Sequence, residues 1–206
     1  MKRRTCLAAA SAALLSPRAR AAVQPLGPSP MGMVMRAMVQ RPSIVKQQCP
    51  LWCWAASAAM IFGSHDHPID QMVIVQRVFG GLVCAPSGNT TNITAILNVP
   101  WIDARGEAFR PHITAGYDVF NGILAINNTI IISELADDRP LLYCNQSHAM
   151  VLVACDFVAT PVGPRILAAG VLDPMPGVPD FHALSPGELV PAHLGGALTY
   201  VAAVRT

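Results

Sequence analysis

Charged side chains are scarce in this sequence: 13% of 206 residues, against 52% hydrophobic ones. That balance excludes disorder of the whole chain and supplies a substantial core for one domain. A basic stripe with interleaved aromatics is also missing. Beyond the N-terminus the bases are scattered, with Arg41 and Lys46 no closer than five residues apart, which argues against nucleic acid as a partner. After Leu15 no apolar run approaches the length needed to span a membrane. There is no internal repeat and no low-complexity tract, so the bulk of the chain reads as one α+β unit.

The N-terminus carries Lys2, Arg3 and Arg4, an apolar run over residues 5–15, and then Ala19-Arg20-Ala21. This is the layout of a cleavable signal peptide over residues 1–21, with a mature chain starting near Ala22 and exported to the periplasm or beyond. Arg3-Arg4 ahead of Cys6-Leu7 also fits the twin-arginine route. Cys6 lies early in the apolar run, which disfavours a lipoprotein anchor. Cleavage removes five bases and leaves nine against twelve acidic residues, so the formal +2 becomes about −3. The mature protein is expected to have no membrane partner. Residues 22–45, with Pro25, Pro28, Pro30 and Pro42, read as an extended arm too short to fold as an inhibitory propeptide; a part of it lying across a cleft stays open.

Further along, Ala-rich residues 54–62 read as a helix apolar on nearly every face and therefore buried, with Gly63 as its C-terminal cap. Residues 68–79 make a second helix with Pro68 in its first turn, residues 80–92 a loop containing Cys84, and residues 92–97 and 130–136 two more helices. Strands are expected over residues 141–144, 149–155, 165–172 and 198–204.

The run Gln47-Gln48-Cys49-Pro50-Leu51-Trp52-Cys53-Trp54-Ala55-Ala56 carries the chemistry. It places Cys53 between two indoles at the start of the buried helix. Free N–H groups and the partial positive charge of a helix N-terminus favour thiolate over thiol, and thiolate is the nucleophile. Gln47 is placed to aim its amide at a developing oxyanion beside the N–H of Cys53, with Gln48 as the competing candidate.

This run resembles the papain-like cysteine peptidases, and its Trp-Cys-Trp-Ala-Ala form is similar to their short bacterial branch, which includes a plant-pathogen effector peptidase. Ser147-His148-Ala149-Met150, opening an aliphatic strand, and Val171-Leu172-Asp173-Pro174 extend the likeness over residues 46–206 in the order Cys, His, Asp. The resemblance implies an α+β fold: a helical part with a buried central helix carrying the nucleophile, a C-terminal antiparallel sheet, and a cleft between them. It implies hydrolysis of peptide or protein substrates through an acyl-thioester on Cys53. His148 would be the proton carrier, Asp173 its orienting group and Gln47 the oxyanion donor, with no metal or cofactor. Asp173 departs from the family's commoner Asn; Asp180 and Asn145 are the alternatives for that role. Transglutaminase-like and arylamine acetyltransferase enzymes share the residue order, and a catalytically silent secreted effector or binding protein would keep the scaffold, so both remain alternatives.

Residues 22–206 hold five cysteines, an odd number that leaves at least one thiol free, with Cys53 the natural candidate. Larger papain-like enzymes carry a bridge at the position of Cys49 and Cys84, and the resemblance implies that pair here. Cys144 and Cys155 either pair or stay as buried thiols. His65 and His67 have the spacing of a metal pair, but no third ligand is near in sequence, so they read as a solvated loop. His182 and His193 lack a following apolar strand and are set aside.

Overall fold

The aliphatic run after His148 becomes the longest strand of the structure, Ala149–Val158, and the sheet is arranged around it. The computed structural model describes residues 23–206; the signal peptide expected over residues 1–21 lies outside them. Among the described residues the strands are β1 (Gln24–Ser29), β2 (Gly32–Met38), β3 (Trp101–Ile102), β4 (Ala108–Phe109), β5 (His112–Asp118), β6 (Ile123–Leu124), β7 (Leu141–Cys144), β8 (Ala149–Val158), β9 (Arg165–Leu172), β10 (Phe181–Ala183) and β11 (Tyr200–Arg205). The helices are α1 (Cys53–Ser64), α2 (Gln71–Phe79), α3 (Thr90–Ile96) and α4 (Asn128–Ala136). The protein is therefore α+β, with antiparallel pairing between the named strands.

The main sheet runs β1-β2-β8-β7-β11-β5-β6, with β9 on β8 and β10 on β9. One edge of β8 is shared: its start pairs with β7 and its end with β2, while β9 follows the other edge. Because β8 and β9 are antiparallel and Val151 pairs with Leu172, the start of one strand and the end of the other meet at the same end of the sheet. His148 and Asp173 leave the sheet there.

Directly paired residues share a face of a sheet. Cys144 and Ala149 face one side, Tyr143 and Met150 the other. The first face carries α1, which packs on β7 and β8; the second carries α4, whose Ile131 shares a cavity of about 430 Å³ with Tyr143 and Leu152. Residues 54–62 of α1 are buried throughout, as an all-round apolar helix must be. Small Ala side chains let it lie close to the strands at no loss of helix propensity.

Several expectations are corrected. Strands do not all follow helices: β1 and β2 come first and β5 lies in mid-chain. The arm is extended backbone, but its described part forms a hairpin that completes the sheet against β8. Pro25 and Pro28 sit in the edge strand β1, where a missing N–H costs no ladder bond. Arg36, directly opposite Asp156, grips its carboxylate with two bonds of 2.6 and 2.8 Å. Gly63 lies inside α1 and does not cap it; a Cβ there would come within 2.6 Å of the Ser43 hydroxyl, so its role is close approach. Helix α2 starts after Pro68, because Asp70 caps it by accepting from the Met72 N–H at 2.7 Å.

Candidate active site

The turn before α1 is tied on two sides. On one side a disulfide joins Cys49 to Cys84, with Cα atoms 5.9 Å apart. The two indoles beside Cys53 reach the same loop: Trp52 Nε1 donates to Val83 O at 2.8 Å and Trp54 Nε1 to Ala85 O at 3.2 Å. On the other side Lys46 Nζ donates to the carbonyls of Asp173, Met175 and Val178 and pairs with Asp180 at 3.0 Å. The Gln47 N–H donates to Pro174 O at 2.8 Å. Buried Gln71 satisfies the intervening backbone, donating to Lys46 O at 2.8 Å and accepting from the Gln48 N–H at 3.0 Å. Nothing in the sequence around Lys46 or Gln71 singles them out, since their partners are distant in the chain.

Cys53, His148 and Asp173 meet where these ties converge. His148 Nε2 lies 2.7 Å from Asp173 Oδ1, and the two side chains are 13% and 9% exposed. The same carboxylate oxygen accepts from the Met175 N–H at 2.8 Å, which fixes its direction. With Nε2 turned to the carboxylate, Nδ1 is left for Cys53, and thiol and imidazole lie close enough for each to shift the other's titration. Burial alone would push the Cys53 thiol up. The His148 hydrogen bond and charge, with the N–H groups of Ala149 and Trp54, outweigh it and hold Cys53 below the ordinary thiol range. Burial likewise acts to lower His148, but its bonds to Cys53 and Asp173 raise it above the ordinary imidazole value. Both shifts favour the thiolate–imidazolium pair. No side-chain hydrogen bond caps the N-terminus of α1.

The other free thiols among the described residues are shifted the opposite way. Cys144 and Cys155 do not pair; both are buried. Burial drives Cys144 far above the ordinary thiol range and Cys155 up to about 12.

Of the two oxyanion candidates, Gln47 is buried and Gln48 exposed. The Gln47 amide donates to Cys49 O at 3.1 Å and Pro50 O at 2.9 Å, while its Oε1 has no hydrogen-bond partner among the described residues. The opposite amide orientation would set Oε1 against two carbonyl oxygens. Reaching an oxyanion requires Gln47 to release one turn carbonyl.

His182, set aside on sequence, sits on β10 with Nδ1 3.9 Å from Asp173 Oδ2. His193 instead bonds the Tyr117 hydroxyl at 2.9 Å. The solvated-loop reading of His67 is corrected: its ring stacks on Phe109 at 4.2 Å, and Asp103 and Glu107 bring ligand atoms within 4.8 Å of its own. The Arg105 guanidinium bonds both carboxylates at 3.1 Å. Burial acts to raise Asp103, but the N–H groups of Glu107 and Arg105, with His67 and the Arg105 side chain, hold it down at about 2. The cluster is thus an ion-pair network closed around Arg105.

Cys53 and His148 open onto a cleft of about 570 Å³, walled by Leu51, Pro86, Phe120 and Met175 with Thr90 and Ile93 deeper in. Among the described residues no Asp, Glu, Lys or Arg lines it, nor does any residue of the hairpin. The chain matches no family model and no curated protein, so the functional reading rests on this geometry and on the residue pattern around it.

Two outcomes follow from the geometry. Replacing Cys49 and Cys84 together by Ser opens a link between residues 35 apart and should lower the unfolding free energy in urea by about 3–4 kcal/mol, on the chain-entropy account; a loss below about 1 kcal/mol would show that the bridge does not tie the turn. The second concerns pH. A lowered thiol keeps its thiolate as pH falls below the ordinary thiol value and loses it only through the folded value. A raised imidazole keeps its proton as pH rises above the ordinary imidazole value. Iodoacetamide should therefore alkylate Cys53 with a midpoint below the ordinary thiol range, and His148→Ala should move that midpoint upward. An unchanged midpoint in His148→Ala would contradict the ion pair.

Proposed function

We propose that this protein is an exported papain-like cysteine peptidase. The observation that carries the reading is the 2.7 Å bond from His148 Nε2 to Asp173, which leaves Nδ1 for a half-buried thiol held below its ordinary range. In this reading the Cys53 thiolate attacks the peptide carbonyl carbon, and the oxygen becomes an oxyanion beside the uncapped N–H groups of α1. The C–N bond breaks as imidazolium His148 gives its proton to the leaving amine, and an acyl-thioester stays on Cys53. His148 then takes a proton from water, the hydroxide attacks the thioester, and the acid product leaves with the thiolate restored. Asp173 accepts from the ring throughout and stabilises the cation. Export is supported by the signal-like N-terminus and by the disulfide; among the described residues no helix is long and apolar enough to cross a membrane.

Apart from Cys53 and His148 the described lining of the cleft carries no charged side chain, which supports peptides whose side chains near the scissile bond are neutral and apolar, since a charge placed there would lose its hydration without a partner. The test is cleavage of fluorogenic peptides by the chain beginning at Ala22. Cys53→Ala should abolish cleavage and leave the melting temperature nearly unchanged, because a helix accepts Ala readily. Asp173→Asn should retain measurable activity, since Asn still accepts from the ring N–H, and Asp173→Ala should lose much more. Cleavage by Cys53→Ala near the parental rate would overturn the reading. If Asp173→Ala keeps kcat/KM within about threefold, about 0.7 kcal/mol, the orienting role lies elsewhere.

A further inference from the structure

His148 is held at two points: its ring by Asp173 and its backbone by Asn145. The Asn145 Oδ1 accepts from the N–H groups of Ser147 at 3.0 Å and His148 at 2.8 Å, and the Asn145 N–H donates to His148 O at 3.0 Å. These bonds close the turn between β7 and β8. An amide, however, has two nearly isosteric ends, and only the oxygen end can face those N–H groups. The end is chosen from the far side, where Asn145 Nδ2 donates to Glu188 Oε1 at 3.1 Å.

Glu188 is itself fixed. Its Oε2 accepts from the Ser185 N–H at 2.9 Å and hydroxyl at 2.8 Å, and its carbonyl accepts from the Tyr143 hydroxyl at 2.8 Å. Burial acts to raise its carboxyl, but the Ser185 and Asn145 donors outweigh that and keep it below the ordinary range. We propose that Asn145 and Glu188 are a positioning pair, in which the acceptor on Glu188 orients the Asn145 amide and the amide sets the backbone that carries the His148 ring. This rests on the reading of Cys53 and His148 as the reacting pair. Around His148 the titratable groups are Cys53 on α1, Cys144 on β7, Asp173 after β9, His182 on β10, and Glu188.

The pair differs from a turn that only needs a small polar residue, because it depends on which partner donates. In Asn145→Asp two carboxylates face each other. In Glu188→Gln either two amide donors meet or the Ser185 N–H loses its acceptor. In the double variant Asn145→Asp/Glu188→Gln the polarity is reversed and complete: the new amide donates to the new carboxylate, and its oxygen takes the two Ser185 donors.

The experiment measures iodoacetamide alkylation of Cys53 at about pH 6, where an ordinary thiol is protonated, with peptide cleavage and melting temperature alongside. Each single variant should alkylate about fivefold more slowly or worse, and the double should return to within about twofold of the parent, the coupling expected of residues in contact. An added carboxylate acting only through its charge would favour the imidazolium and keep the rate, so a drop reports displacement of the ring. Parental rates in both single variants, or a double no better than the worse single, would overturn the pair. If Asn145→Asp fails to fold, recovery of the melting temperature and the alkylation rate in the double is the same rescue, and its failure overturns the pair equally. A parent that alkylates fast but cleaves no peptide would remove the peptidase reading and leave the pair standing.

Discussion

The hydrogen bond between His148 Nε2 and Asp173 Oδ1 is the constraint on which the site depends. An imidazole can present either nitrogen to a thiol, and this 2.7 Å contact decides the matter by taking Nε2. It exists because β8 and β9 are antiparallel with Val151 opposite Leu172, which brings residues 25 apart in sequence to one end of the sheet. Lys46 and Gln47 then fasten the turn before Cys53 to the carbonyls of residues 173–178. Two elements of different origin, a helix start and a strand end, are thereby held in register. The two tryptophans and the disulfide perform the same service against the loop at residues 83–85.

Burial acts against both members of the pair, raising Cys53 and lowering His148, and hydrogen bonding reverses each. Cys144 shows the uncompensated case. It lines the same cleft, lacks a compensating donor, and is driven well above the ordinary thiol range. The direction of each shift therefore follows from the thiol's partners and not from burial alone.

What the sequence disclosed was local. The Ala-rich run gave α1, the aliphatic runs gave β7, β8 and β9 nearly to the residue, and the Cys-Trp context pointed to Cys53. What it concealed depended on distant partners. Strand β5 is interrupted by Gly116, which breaks its alternation; a Cβ there would lie 3.3 Å from Val201 O on β11, a reason invisible without the pairing. The hairpin was masked by prolines that only an edge strand tolerates. Asp103 and Glu107 reach His67 across about 40 residues of chain, as Gln71 reaches Lys46 across 25. Spacing favours Gln47 over Gln48 as the oxyanion donor, yet the Gln47 donors are spent on the turn, a detail that spacing cannot reveal.

The central claim is that Cys53 is the one activated thiol among the described residues and that His148 activates it. Incubation with a peptidyl vinyl sulfone bearing neutral apolar side chains, followed by intact-mass measurement and peptide mapping, tests this directly. The account predicts a single adduct on Cys53, none on Cys144 or Cys155, and none on Cys53 in His148→Ala over the same time. Adducts spread over the free thiols, or labelling of Cys53 that does not depend on His148, would contradict it.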